Sequence, residues 1–346
     1  MSTFVPVGLR ILLCAVRHVI PRSTFLGVDC RLKSGKGGFL QMKSPFPVSM
    51  LRSLLKKAPD VAKTGGRRMR MQMDKRPTLA SWPKRVYAWE ELPEPFHPAL
   101  REWKESGMPP GNVTYIPQVS QKSREPEYAA AWWGKQVLIQ TAQRDQVDTI
   151  SLDADRVHLC SYQVQLLRCL VELDIEGGKR AVFSYNKVKE EQLRPVLNLA
   201  LGNPADFVFP TEHPQTMELQ KLLKDSYAMY NLSKLCYRFG TRLLDFLWLR
   251  GKDRNLFRKV DPEYWIGATE RGLTAISYDR YGTRTVWLRW KNLTRLSMEG
   301  SGRSRYIRIT SVQGMAVEFP VLEEQAGTGA LFLERVERLR MQELSV

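Results

Sequence analysis

A chain of 346 residues, 43% hydrophobic and 26% charged, with nine Trp, twelve Tyr and thirteen Phe, has apolar surface for about two domains plus tails and cannot be a wholly disordered polymer. No stretch approaches the roughly 20 consecutive apolar residues that a membrane-spanning helix requires. The net charge of +17 sits almost entirely at one end. Residues 1–85 hold 18 Lys/Arg against only Asp29, Asp60 and Asp74, which leaves 35 basic and 33 acidic groups for the rest. A fold docked on polyanion over its whole surface is excluded by that asymmetry, which points instead to a basic arm or to an import address.

Residues 1–27 read as a mitochondrial transit peptide. Arg10, Arg17 and Arg22 occur with several Ser/Thr and no acid before Asp29, and Leu9, Leu12, Leu13, Val16 and Ile20 recur at three- and four-residue intervals on one helical face. Arg10 interrupts the apolar run that a secretory signal would need. The competing reading is an ordinary first helix of the fold. The expected location is the mitochondrial matrix.

Residues 28–85 continue as a basic, irregular arm, broken by Gly35, Gly37, Gly38, Gly65, Gly66 and prolines. Lys56 and Lys57, then Arg67, Arg68 and Arg70, form its two densest clusters and are the candidate RNA-binding residues. Cations on a flexible chain can follow a phosphate backbone and release counterions without reading bases. The alternative is a longer transit region that is removed. The run Ser34-Gly35-Lys36-Gly37-Gly38 lacks the residue order of a phosphate loop and is set aside.

Residues 86–127 carry Pro93, Pro95, Pro98, Pro109, Pro110, Pro117 and Pro126, with aromatic residues between them. This spacing leaves room only for a short helix at 98–106. An aromatic, proline-rich strap is glued to a surface, either the chain's own or a partner's. Trp82, Trp89 and Trp103 are its candidate partner-binding residues.

The span 128–255 reads as a mixed α+β domain. Strands are expected at 137–139 and 149–152, and the alternation over 167–175, Gly177-Gly178 and 181–185 predicts a hairpin. A helix is expected over 188–201, stopped by Gly202, and one or two packed helices over 216–249.

The span 260–346 is the clearest. Short strands are expected at 264–267, 273–278, 285–290, 293–298, 306–310 and 316–319, divided by turns at Gly272, Asp279/Gly282, Gly300-Ser301-Gly302 and Gln313-Gly314. A helix over 328–341 then buries Phe332, Val336 and Leu339. The order W-I-G…G-L-T-A-I-S-Y…V-W-L-R-W-K-N-L-T-R-L resembles the C-terminal lobe of FERM domains, a pleckstrin-homology-like barrel, over about a quarter of the chain. The fold expected is therefore α+β: a central mixed α/β region, then a C-terminal PH-like antiparallel β-barrel capped by one helix. That resemblance also implies phosphoinositide contact by turn arginines, here Arg280, Arg284, Arg303, Arg305 and Arg308. Solvated strand ends explain the same residues more simply.

Catalytic chemistry finds no motif. There is no G-x-S-x-G, H-E-x-x-H or G-x-G-x-x-G, and the carboxylate pairs Glu90-Glu91, Asp153/Asp155 and Glu323-Glu324 fall on loops or element ends. Cys14, Cys30, Cys160, Cys169 and Cys236 have unrelated spacings, and with His18, His97, His158 and His213 they form no metal pattern. No enzyme activity, metal, cofactor or small-molecule substrate is expected. The layout of address, basic arm, strap and balanced body resembles mitochondrial ribosomal proteins. That resemblance implies rRNA and ribosomal or assembly proteins as partners, and a mitoribosomal protein or assembly factor as the role. The alternative is an adaptor that binds protein or lipid through the C-terminal PH-like region.

Overall fold

The computed structural model describes residues 78–118, 125–144, 146–251 and 261–344. The transit segment and Lys56, Lys57, Arg67, Arg68 and Arg70 lie outside the described residues. The body belongs to one compact unit, residues 72–346.

Five strands form the first antiparallel sheet in chain order: β1 (Lys84–Arg85), β2 (Val113–Ile116), β3 (Glu127–Trp133), β4 (Gln136–Gln143) and β5 (Gln146–Asp153). Between β1 and β2 run the strap and the helix α1 (His97–Glu105), started by Pro98 in its first turn, where the missing N–H costs nothing. The strap is glued to its own body. Val86, Leu92, Phe96, Leu100 and Met108 bury themselves on Val113, Ala129, Ala131 and Leu138 of the sheet. On its other face β3 presents Tyr128, Ala130 and Trp132 to a second core. Covered on both sides, β3 needs small Ala side chains and carries no polar alternation, and so the sequence pattern does not reveal it.

After a 3₁₀ turn (Ala154–Arg156) come β6 (Val157–Gln165), β7 (Arg168–Ile175) and β8 (Lys179–Asn186), with Gly177 and Gly178 at the β7–β8 turn. The expected helix at 188–201 is shorter than read. A 3₁₀ segment (Lys187–Gln192) precedes α2 (Arg194–Ala200), because Pro195 has no N–H to continue an earlier helix and so sits at the start of a new one. Gly202, at φ +78°, stops α2: its N–H reaches the Leu199 carbonyl at 2.8 Å and that of Asn203 reaches Asn198 at 2.9 Å, a Schellman closure.

The region 216–249 differs from the expectation. It holds α3 (Met217–Asp225), capped by Thr216, and α4 (Tyr227–Ser233), capped by Ser226, but from Leu243 it is a strand, β9 (Leu243–Arg250). Leu247 and Leu249 enter one core while Leu243, Phe246 and Trp248 lie against α3 and α4. A strand packed on both faces loses its alternation, and with only Asp245 interrupting the apolar residues from Leu243 to Leu249, periodicity alone does not separate it from a helix.

The remaining strands fall where the sequence puts them: β10 (Glu263–Thr269), β11 (Gly272–Asp279), β12 (Gly282–Arg289), β13 (Leu293–Glu299), β14 (Tyr306–Ser311) and β15 (Ala316–Pro320), followed by α5 (Ala326–Leu344). α5 buries Phe332 and Val336 one turn apart against Ile307, Ile309 and Phe319. Four strands, a 3₁₀ turn, three strands and a helix thus occur twice in chain order, as β2–β8 with α2 and as β9–β15 with α5.

No closed barrel is found among the described residues, in contrast to the sequence expectation. The sheets are open: β1-β2-β3-β4-β5, β8-β7-β6-β12-β11-β10-β9 and β13-β14-β15. The 3₁₀ turn Trp290–Asn292 ends the ladder after β12, whose free edge takes β6 of the preceding half as its antiparallel neighbour, Thr283 opposite Val164. Trp287 crosses into that second core, beside Tyr128, Ala130 and Trp132, and donates its indole N–H to the Leu235 carbonyl at 3.1 Å. Asn292 Nδ2 donates to the Val157 and His158 carbonyls, and Gln313 Nε2 to that of Ile175 at 2.7 Å. The two halves therefore share one continuous sheet and one another's backbone groups.

Candidate functional site

Of the sequence-predicted partner-binding residues, Trp89 and Trp103 pack against the strap core, with the Lys104 ammonium 5.1 Å from the Trp89 ring centroid. Trp82 lies under the Lys189 ammonium, 5.7 Å from its centroid. All three are half-buried within the chain's own surface. Intramolecular packing thus accounts for their aromatic character.

Four of the turn arginines, Arg280, Arg284, Arg305 and Arg308, are also engaged internally. Arg284 Nε donates to Ser161 Oγ at 3.1 Å, Arg305 pairs with Glu323 at 3.1 Å, and Arg308 bridges Glu318 at 2.5 Å and Glu299 at 3.1 Å. Arg280 donates to the hydroxyl of its neighbour Tyr281 at 2.6 Å. The carboxylate pairs cap and bridge: Glu91 accepts from the Tyr87 N–H at 2.8 Å, Asp153 from that of Asp155 at 3.1 Å, and Asp155 pairs with Arg289 at 3.1 Å. Such solvent-facing pairs are worth little individually.

The densest polar cluster is one that sequence reading missed. β6 supplies Tyr162, β7 Cys169 and β8 Tyr185. The 3₁₀ segment after β8 brings Lys187 and Glu190, and the 3₁₀ turn Lys234–Arg238, following α4, brings Arg238. Glu190 Oε1 accepts from Arg238 Nη2 at 2.5 Å. Its Oε2 accepts from the Tyr162 hydroxyl and from that of Tyr185 at 3.1 Å, with the Lys187 ammonium 3.7 Å away. Lys187 also donates to the Tyr162 hydroxyl at 2.8 Å, and Cys169 Sγ lies 3.5 Å from that oxygen. Because Glu190 and Arg238 are 48 positions apart, no local spacing signals their pairing. Only the packing of the 3₁₀ turn onto β6 brings them together.

Electrostatics define what this cluster can do. Burial alone would raise the Glu190 carboxyl, but the Arg238 guanidinium, Lys187 and the Tyr162 hydroxyl outweigh it and hold the group at about 2. Burial and the Glu190 charge push Tyr162 and Tyr185 well above the phenol range and raise the Cys169 thiol. Arg238 stays protonated despite its burial, because Glu190 favours the charged form. The carboxylate is thus ionised at neutral pH and accepts hydrogen bonds on both oxygens. A general base needs a pKa near the working pH, and that of Glu190 lies far below it. A cleft of about 170 Å³ beside the pair is walled by Glu191, Arg194, Asn198 and Phe209, with Asn198 Nδ2 donating to the Ala205 and Phe207 carbonyls. This constellation is a buried charge lock that ties the segment following α4 to the first half of the chain.

His213 is a satisfied core histidine. Its Nδ1 lies 3.0 Å from the Tyr237 hydroxyl, and its Nε2 3.0 Å from the Tyr230 carbonyl and 2.8 Å from Ser233 Oγ. Burial lowers its pKa, and the neutral imidazole serves as a hydrogen-bonded strut. Cys160, Cys169 and Cys236 are free and buried, and burial pushes the Cys160 thiol up to about 12, far from the reactive thiolate range. Among the described residues no group of three or more His, Cys, Asp or Glu is placed to hold a metal ion, and no helix is long and apolar enough to cross a membrane. No family model matches the sequence, and no curated protein matches it.

Proposed function

We propose that this chain is a non-catalytic, RNA-associated component of a mitochondrial ribonucleoprotein, a mitoribosomal protein or an assembly factor of the mitoribosome. The observation that carries the reading is the partition of charge: 18 Lys/Arg against three acids in residues 1–85, against 35 and 33 in the remainder. The arm cannot neutralise itself. Nor is the body a large acidic sink, because its 33 acidic groups are balanced by 35 basic ones, several of them in pairs such as Arg168–Glu125, Arg180–Glu172, Arg238–Glu190 and Arg335–Asp245. An external polyanion is the remaining counterpart, and nucleic acid binding through such an arm falls steeply with salt. The arm supplies affinity and the folded body supplies surface for protein neighbours.

The C-terminal half is proposed to be PH-like in descent. The order of β9–β12, a turn, β13–β15 and α5 supports this, as does the recurrence of the same order in the first half. The two halves would then be tandem copies that have opened and merged through β6 and β12.

Charge reversal of Lys56, Lys57, Arg67, Arg68 and Arg70 to Glu tests the RNA reading. The variant is expected to leave ribosomal particles in sedimentation of mitochondrial lysates, and ribonuclease treatment should release the wild-type protein likewise. Sedimentation unchanged by the five reversals would overturn the assignment. Any truncation used for the same purpose should end before Thr78, since the turn Thr78–Ser81 and β1 are part of the folded body, with Arg85 Nη1 held by the Gly111 carbonyl at 2.8 Å.

A further inference from the structure

The two-residue turn between β6 and β7 is Leu166-Leu167. Leu166 has φ +55° and is 96% exposed; Leu167 is 56% exposed. A positive φ at the first position of a two-residue hairpin loop belongs to glycine, and a leucine there carries both the strain of a left-handed L-residue and the cost of an apolar side chain in water. Neither is offset by packing within the chain. A residue that breaks a local rule with no compensating contact marks a site selected for something outside the fold.

The leucines are not isolated. Because β12 pairs with β6, Thr283 opposite Val164, the Arg280-Tyr281 turn between β11 and β12 lies at the same end of the sheet, and Tyr281 is 64% exposed. The Lys187 N–H bonds the Leu167 carbonyl at 2.7 Å, which brings the exposed Val188 to that end as well. Adjacent strands are about 4.8 Å apart, so these apolar tips form a line of about 20 Å along one rim. Cations stand outward beside them while their counter-ions sit deeper. Arg168 is 48% exposed over Glu125 at 26%, and Lys187 41% over Glu190 at 15%. Arg280 covers the Tyr281 ring at 4.6 Å, with the Asp279 carboxylate turned inward to cap the turn.

We propose that this rim inserts into the surface of an anionic lipid bilayer. The exposed apolar tips share one end of the sheet and have outward cations among them, a pairing that complements an anionic bilayer surface. Apolar side chains would enter the acyl boundary while the outward cations meet lipid phosphates. The site is separate from the arm, and so from the RNA reading.

The test is flotation of the full-length protein with vesicles of equal parts phosphatidylcholine and phosphatidylglycerol. It is run at about 0.5 M salt, where a Debye length of about 4 Å screens the arm. The Leu166→Asn/Leu167→Asn variant changes no charge, and Asn tolerates the left-handed backbone. Wild type is expected to float, and the variant to lose about a hundredfold in partition coefficient, tenfold for each leucine. Tyr281→Ser should lose about tenfold by the same route, and vesicles of phosphatidylcholine alone should bind wild type more weakly. Equal flotation of wild type and both variants, absence of wild-type flotation, or a protein partner lost on the Asn substitutions while flotation persists would each overturn the proposal.

Discussion

Replacing Arg238 with Met removes the guanidinium from a carboxylate that stays buried. Glu190 sits at about 2 in the folded protein against an ordinary 4.5, a difference equivalent to about 3 kcal/mol of stability. The group's pKa is depressed by folding, so this contribution is complete above pH 4.5 and disappears as the pH falls towards 2. Without Arg238 only Lys187 and the Tyr162 hydroxyl remain to oppose burial, so the carboxyl rises from about 2 and its charge is less well compensated. Arg238→Met should therefore destabilise by about 3–5 kcal/mol at pH 7, the usual result of breaking one side of a buried pair. The loss should shrink as the pH falls below 4.5, where the wild type loses its own ion pair. Urea unfolding followed by tryptophan fluorescence across this range measures both. The double variant Glu190→Gln/Arg238→Met, with the charge removed, should recover most of the loss at pH 7. A penalty under about 1 kcal/mol, one independent of pH, or a double variant worse than the single would refute the reasoning.

Three further outcomes follow from the same structure. His213 is buried and neutral with a lowered pKa, so wild-type stability should hold above pH 6.5 and decline below it; His213→Gln should flatten that part of the melting temperature–pH curve. Gly282 has φ +143° and an added Cβ would lie 2.1 Å from the Val164 carbonyl oxygen across the β6–β12 pairing. Gly282→Ala should cost about 3 kcal/mol in chemical unfolding, because backbone on both sides must move. Leu166→Gly should raise stability by about 1 kcal/mol by relieving the left-handed strain, measured as a higher denaturation midpoint at unchanged slope.

The strands β10–β15 were legible because each is short, alternates, and is separated from the next by turn residues. Trp265, Leu273, Ile276, Val286 and Leu288 lie in the cores that the pattern implies. The hairpin over Gly177-Gly178 and the stop at Gly202 were legible for the same reason: glycine marks a backbone conformation that other residues resist. β3 and β9 were not. Ala129 to Ala131 and Leu243 to Leu249 are buried on two faces, which erases the period-two signal on which strand reading depends. The strap's aromatic residues announced a surface contact, yet whether that surface was the chain's own depended on Ala129, Ala131 and Leu138, tens of residues away.

The distribution of charge, the glycine-marked turns and the amphipathic final helix are properties of neighbouring residues, and neighbours in sequence are visible in sequence. The pairing of β6 with β12, the Glu190–Arg238 lock and the line formed by Leu166, Leu167 and Tyr281 join segments 48 to 129 positions apart. Such contacts are set by which sheet edge closes on which, a competition between whole elements whose outcome no local window encodes. Only the tertiary structure decided them.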